Sequence, residues 1–127
     1  MFKSTRLFKL WDYSVSHQQL LIRSPMTPDI STNIDLLFWG VKYLTTETIL
    51  RGVEIVRADD SGNLPEPAIE LLKDGYKVFR IQSGESSMII VSSGFRVVEN
   101  QLDIFESTIT TANDEEDRDA GTELARA

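Results

Sequence analysis

Residues 10–25 read LWDYSVSHQQLLIRSP, and after a turn residues 32–44 read TNIDLLFWGVKYL. Both runs are rich in β-branched, leucine and aromatic side chains, the composition of extended strands. In the first run, Trp11, Tyr13 and Val15 share one parity, while Asp12, Ser14 and Ser16 share the other. The stretch QLLIRS over 19–24 then reads as a second strand, with Ser16-His17-Gln18 short enough to form a hairpin connection. The run Leu36 to Trp39 is continuously apolar up to Gly40, which suggests a strand buried on both faces or a bulge at the glycine. The pattern is therefore that of a β protein whose strands lie close together in sequence.

Working outward, the strands are expected over 7–17, 19–24, 33–44, 46–58, 76–82, 87–93 and 95–105. The run Asp59-Asp60-Ser61-Gly62-Asn63 is a turn, and Ser83-Gly84-Glu85-Ser86 is a hairpin turn. Residues 68–75, AIELLKDG, read either as one or two helical turns closed by Gly75 or as a connecting loop. Turn signals about every ten residues point to a mostly β, single-domain antiparallel β-sandwich or partly open barrel with at most one short helix. At 127 residues the chain is about one domain, long enough to bury a core without staples.

Charge separates the chain into two parts. Residues 110–127 hold six acids (Asp114, Glu115, Glu116, Asp117, Asp119, Glu123) against Arg118 and Arg126, which is −4 of the chain's −7. This segment has too few large apolar residues to offset the entropy of ordering. The expected organisation is a β-rich domain over 1–109 followed by an acidic, solvated and disordered tail over 110–127.

Composition also excludes chemistry. With no cysteine there is no disulfide, thiolate metal site or cysteine nucleophile. A single histidine, His17, does not make a histidine-rich metal site. An acidic body without a basic stripe argues against nucleic acid. No apolar run approaches the roughly 20 residues of a membrane span, and the basic N-terminus lacks a signal-peptide core, so the expected location is cytoplasmic. No phosphate-cradling glycine motif or nucleophile elbow occurs, and no cofactor is expected.

The polar residues set into the strands are the remaining candidates. Arg23 follows three apolar residues and needs a carboxylate, for which Asp35 is placed just across the loop. That pair is either a clamp between two strands or an anion site. With His17, Arg23 and Asp35 could line a barrel mouth in a small-ligand binder or hydrolase. Glu99 and Asp103 share a strand parity, but nothing in their spacing singles them out. Phe38 and Trp39 point to opposite faces, so one of them needs a second layer or a partner. This makes Trp39, or else Phe38, the candidate interface residue.

The segments WDYSVSHQQLLIRSP, TNIDLLFWGVKYL and ENQLDIFES are similar to a group of small, uncharacterised bacterial β-rich proteins, over roughly residues 10–107. The resemblance implies one compact domain and brings no activity with it. The leading expectation is a non-enzymatic protein-binding or self-assembling module, of an accessory or toxin-neutralising type, whose partner is itself or another protein.

Overall fold

A computed structural model describes residues 1–59, 62–109 and 121–127. Its strands are β1 (Phe2–Ser14), β2 (Gln19–Ser24), β3 (Asn33–Trp39), β4 (Tyr43–Thr45), β5 (Ile49–Arg57), β6 (Lys77–Ser83), β7 (Ser86–Ser92), β8 (Gly94–Asn100) and β9 (Thr122–Arg126). The helix α1 (Glu66–Lys73) lies between β5 and β6. The strands form one open antiparallel sheet in the order β4-β7-β6-β5-β1-β2-β3-β8-β9. Among the described residues, no helix is long and apolar enough to cross a membrane.

The long strand β1 bends this sheet. Its first part, Phe2 to Lys9, pairs with β5, and its second part, Lys9 to Ser14, pairs with β2. The register slips once against each neighbour, between Ser4 and Leu7 and between Leu10 and Asp12. Such bulges add twist and turn the strand. The two halves of the sheet consequently face one another across a single core. Phe8, Leu20, Ile22, Leu36 and Phe38 meet Leu50, Ile55, Phe79, Ile81 and Ile90 there. At its centre Phe38 packs on Phe95 at 4.7 Å between ring centroids and edge-on to Phe79 at 5.8 Å, which joins β3 and β8 to β6. These are favourable aromatic geometries.

Three expectations are corrected. The third strand stops at Trp39 instead of running to Leu44. Gly40 has φ +61°, and a Cβ there would lie 2.3 Å from Ser93 Oγ, so the chain turns at a residue only glycine fits. Beyond it the Lys42 N–H donates to the Val91 carbonyl, and β4 joins β7 at the opposite edge of the sheet. The last long strand ends at Asn100, and residues 101–109 leave the sheet to fold over it. At the chain's end, Thr122–Arg126 form β9 on β8 where a solvated extension was expected. Ala125 and Ala127 of this end pack against the core. The acidic cluster from Asp114 to Asp119 lies outside the described residues, as do Asp60 and Ser61 of the expected turn.

Among the described residues, two segments cover the outer face of the sheet. Helix α1 begins with Pro67 in its first turn, where the missing N–H costs nothing, and ends before Gly75. It buries Ala68, with Leu71 and Leu72 alongside, over Val78, Ile89 and Val91 of β6 and β7. Residues 101–109 cover β2 and β3, where Ile109 and Trp11 pack on Leu21 and Leu37. No described element covers the outer face of β1 and β5 between them.

Candidate functional site

Arg23 on β2 and Asp35 on β3 stand directly opposite each other in the strand register. Both side chains are fully buried beneath residues 101–109. Arg23 Nε donates to Asp35 Oδ1 at 2.7 Å, and a terminal guanidinium nitrogen donates to Oδ2 at 2.9 Å. The other terminal nitrogen donates to the Glu106 carbonyl at 2.7 Å, and the Trp11 ring lies 5.3 Å from the guanidinium. Asn100 Nδ2 donates to Asp35 Oδ2 at 2.8 Å, and Asn33 Nδ2 donates to Asn100 Oδ1 and to the Leu102 carbonyl, each at 2.8 Å. Asn33 Oδ1 in turn accepts the Met26 N–H at 2.8 Å.

This network ties the covering segment to the sheet. Two of its bonds end on carbonyls of that segment, those of Leu102 and Glu106. A buried ion pair is tolerable only where the geometry is good and the remaining polar atoms are bonded, as they are here. No face of the pair opens to solvent, so the arrangement holds layers together and offers no ligand an approach. The structural-clamp alternative thus describes Arg23 and Asp35.

His17 does not join them. It is exposed in the β1–β2 turn, where the following residue, Gln18, takes φ 52°. The four steps of strand from Gln19 to Arg23 alone span about 13 Å at the usual rise. The three expected barrel-mouth residues therefore do not converge.

Phe38 is corrected as an interface candidate, because it is fully buried at the centre of the core. Trp39 points the other way, as alternation requires, and is half-buried by its own chain. Its indole lies over Gly94, where a Cβ would sit 2.1 Å from the ring, and the Arg126 guanidinium is 5.9 Å from the ring centroid.

Two parts of the cluster went unread in the sequence. Asn100 falls inside the strand expected over 95–105, where nothing marks it as a partner of Asp35, and the Glu106 carbonyl has no side-chain signature. The available signal was that two asparagines, Asn33 and Asn100, end neighbouring strands and stand in register.

The open surface is of a different kind. On the outer face of β1 and β5, Leu7 faces Arg51 and Lys9 faces Ile49, and Lys3 bridges to Glu54 at 3.4 Å. Leu7, Ile49 and Val56 are 39%, 47% and 38% exposed. The bulge between Ser4 and Leu7, opposite Gly52 at φ +78°, leaves a depression of about 300 Å³ bordered by Thr5, Arg51 and Gln82. Smaller hollows of about 220 and 280 Å³, more enclosed than this depression, flank it near Ile49 and near Val56. Arg6 leaves this face at the bulge and donates to the Thr32 carbonyl at 2.9 Å. Lys3 and Arg51 share the borders of these hollows with Glu47 and Glu54, and Lys9 stands beside Ile49, so the trough carries both signs with cationic groups next to Leu7 and Ile49.

Among the described residues, Asp59 is the one titratable group with a marked departure from its ordinary value. Desolvation pushes its pKa up, but the Arg57 hydrogen bond, the Val78 N–H and the charges of Arg57 and Lys77 outweigh that and hold it below 3.8. The carboxylate anchors the start of the α1 connection to β6 through the Val78 N–H at 2.8 Å. Among the described residues, no group of three His, Asp or Glu side chains is placed to hold a metal ion. Comparison with protein-family models, with curated proteins and with solved structures found no match.

Proposed function

We propose that this protein is a non-enzymatic protein-binding module and that it engages its partner through the outer face of β1 and β5. The observation that carries the reading is the contrast in covering. Helix α1 and residues 101–109 bury the neighbouring parts of the same outer surface, while Leu7, Ile49 and Val56 stay at the surface here beside Lys3, Lys9 and Arg51. Apolar side chains rimmed by charge are the usual make-up of a protein interface. The ligand-binding or hydrolase reading has less support, because Arg23 and Asp35 bond each other and the backbone of their own cover.

A photo-reactive amino acid placed at Ile49, with a control at Glu70 on α1, tests this in cells. The expected result is discrete protein adducts at position 49 that disappear when Arg51→Glu is added, and none at position 70. Equal labelling at both positions, or no protein adduct at 49, overturns the reading.

A further inference from the structure

The segment that covers β2 and β3 carries a protrusion whose chemistry is the complement of the open trough. Phe105 is 95% exposed and Ile104 63%, side by side in a turn. Such exposure of two large apolar neighbours is unusual for a surface loop. The turn is well braced. The Phe105 N–H donates to Asp103 Oδ1 at 3.0 Å, the Asp103 N–H to Glu106 Oε1 at 3.0 Å, and the Glu106 N–H to the Asp103 carbonyl at 2.9 Å. The Glu106 carbonyl is gripped from below by buried Arg23. The result is a pre-organised apolar knob between two carboxylates. Residues 110–120, TTANDEEDRDA, contain no aliphatic side chain larger than alanine and no aromatic, so the adjoining sequence offers no apolar cover for it.

From this pairing we infer that the Ile104–Phe105 knob of one copy docks in the β1/β5 trough of a second copy. The aromatic ring enters the bulge depression beside Gly52, and Asp103 and Glu106 face Arg51 and Lys9. The inference rests on the trough being a protein-binding face and names its occupant. Knob and trough are different surfaces, so the contact is heterologous and each copy can give and receive, which builds chains or rings instead of closed two-fold dimers. Two apolar side chains and a few charges make a small interface, so association is weak and falls with added salt.

Sedimentation velocity of the full chain over a concentration series tests it. The expected result is a mean mass that grows with concentration past that of a dimer and shrinks at high salt. Phe105→Ser and Arg51→Glu, both at exposed positions, should each be monomeric with unchanged circular dichroism. Mixed together, they should form a one-to-one dimer and nothing larger, because the intact knob of the Arg51→Glu chain fits the intact trough of the Phe105→Ser chain.

A wild type that stays monomeric, self-association that survives either substitution, or a mixture that stays monomeric overturns the self-docking proposal. If the wild type is monomeric yet Ile49 still cross-links to another protein, only the choice of occupant fails. If association depends on Phe105 but Ile49 gives no adduct, the trough is the wrong surface and both readings fall.

Discussion

The outer face of β2 and β3 and the outer face of β1 and β5 belong to one sheet and meet at β1, yet they have opposite fates. The first is sealed by residues 101–109 and contains a fully bonded ion pair; the second is open, with aliphatic and basic side chains in contact with water. The difference follows from what each pair of strands presents. LLIR and NIDLLF place apolar groups on both faces, so the outer face must find a cover. On β1 and β5 the outward positions Lys3, Leu7, Lys9, Arg51 and Glu54 mix charge with aliphatic groups, and such a surface is stable without one. One half of the outer surface therefore serves the fold, while the other is the face proposed for recognition.

The largest test of this contrast lies in the sealed half. Arg23→Ala strands the Asp35 carboxylate in a dry site and removes the bond to the Glu106 carbonyl, so a loss of about 3–5 kcal/mol is expected in denaturant unfolding. Arg23→Met keeps a packing stem between Trp11 and Leu21 and should be milder, and Arg23→Met combined with Asp35→Leu milder still, since no charge is left unpaired. An Arg23→Ala protein as stable as the wild type would mean that water reaches the pair and that the seal is not real.

Asn100→Ala comes next. It removes one donor to Asp35 Oδ2, which keeps Arg23, and the acceptor shared by Asn33 Nδ2 and the Leu102 N–H, which leaves the buried Leu102 N–H without its partner. A loss of about 1–3 kcal/mol follows for such groups. Amide exchange should locate it, with protection falling at Leu102 and Met26 before it falls in β5 or β6. Uniform loss across the sheet would argue that the cover is not an independent layer.

How much of this contrast could be read beforehand depended on whether a residue's partners are near in sequence. The hairpin of β1 and β2, the edges of β2 and the Arg23–Asp35 pair follow from local alternation and from a charge set in an apolar run. The breadth of Leu36–Trp39 correctly implied burial on both faces. What covers that strand does not show, because the alternation of LDIF carries the expected last strand on to Phe105. Its alternation is real, but Asn100 spends its side chain on Asp35 and redirects the chain. The end of the chain misled in a similar way. TELAR is short and polar, and its strand character comes from the open edge of β8, where Ala125 and Ala127 find the core. The trough was illegible for a further reason: its residues come from strands some forty positions apart, and its depression comes from a bulge against Gly52.

The other cover, α1, responds to acid. Asp59 holds the connection to β6, and its pKa in the folded protein lies below the ordinary 3.8. A carboxylate lowered on folding stabilises the native state above its unfolded value, and that contribution disappears as pH falls through the lower folded value. Asp59→Asn should therefore lower the melting temperature slightly at neutral pH and flatten the decline on acidification below about pH 4. At still lower pH the two proteins should converge. The group is partly exposed, so the effect is small. A constant difference at every pH would assign the loss to packing and not to charge.

The smallest expected effect lies in the open half, and it is what defines that half as open. Leu7→Ser and Ile49→Thr remove aliphatic surface that the folded chain leaves in water, so little burial is lost on unfolding. Both positions lie in strands. Threonine keeps the β-branch at 49, and serine at 7 costs a fraction of the roughly 1 kcal/mol span of strand propensity. Each should change stability by no more than about 0.5 kcal/mol. Leu7→Ser should remove the adducts of the photo-reactive residue at 49, and each of the two substitutions should remove the concentration-dependent sedimentation. Binding lost while stability holds would separate recognition from folding at the level of single side chains. If either variant instead melts like a core substitution, Leu7 or Ile49 is buried in solution, and the division of the outer surface into a sealed half and a free half fails at β1.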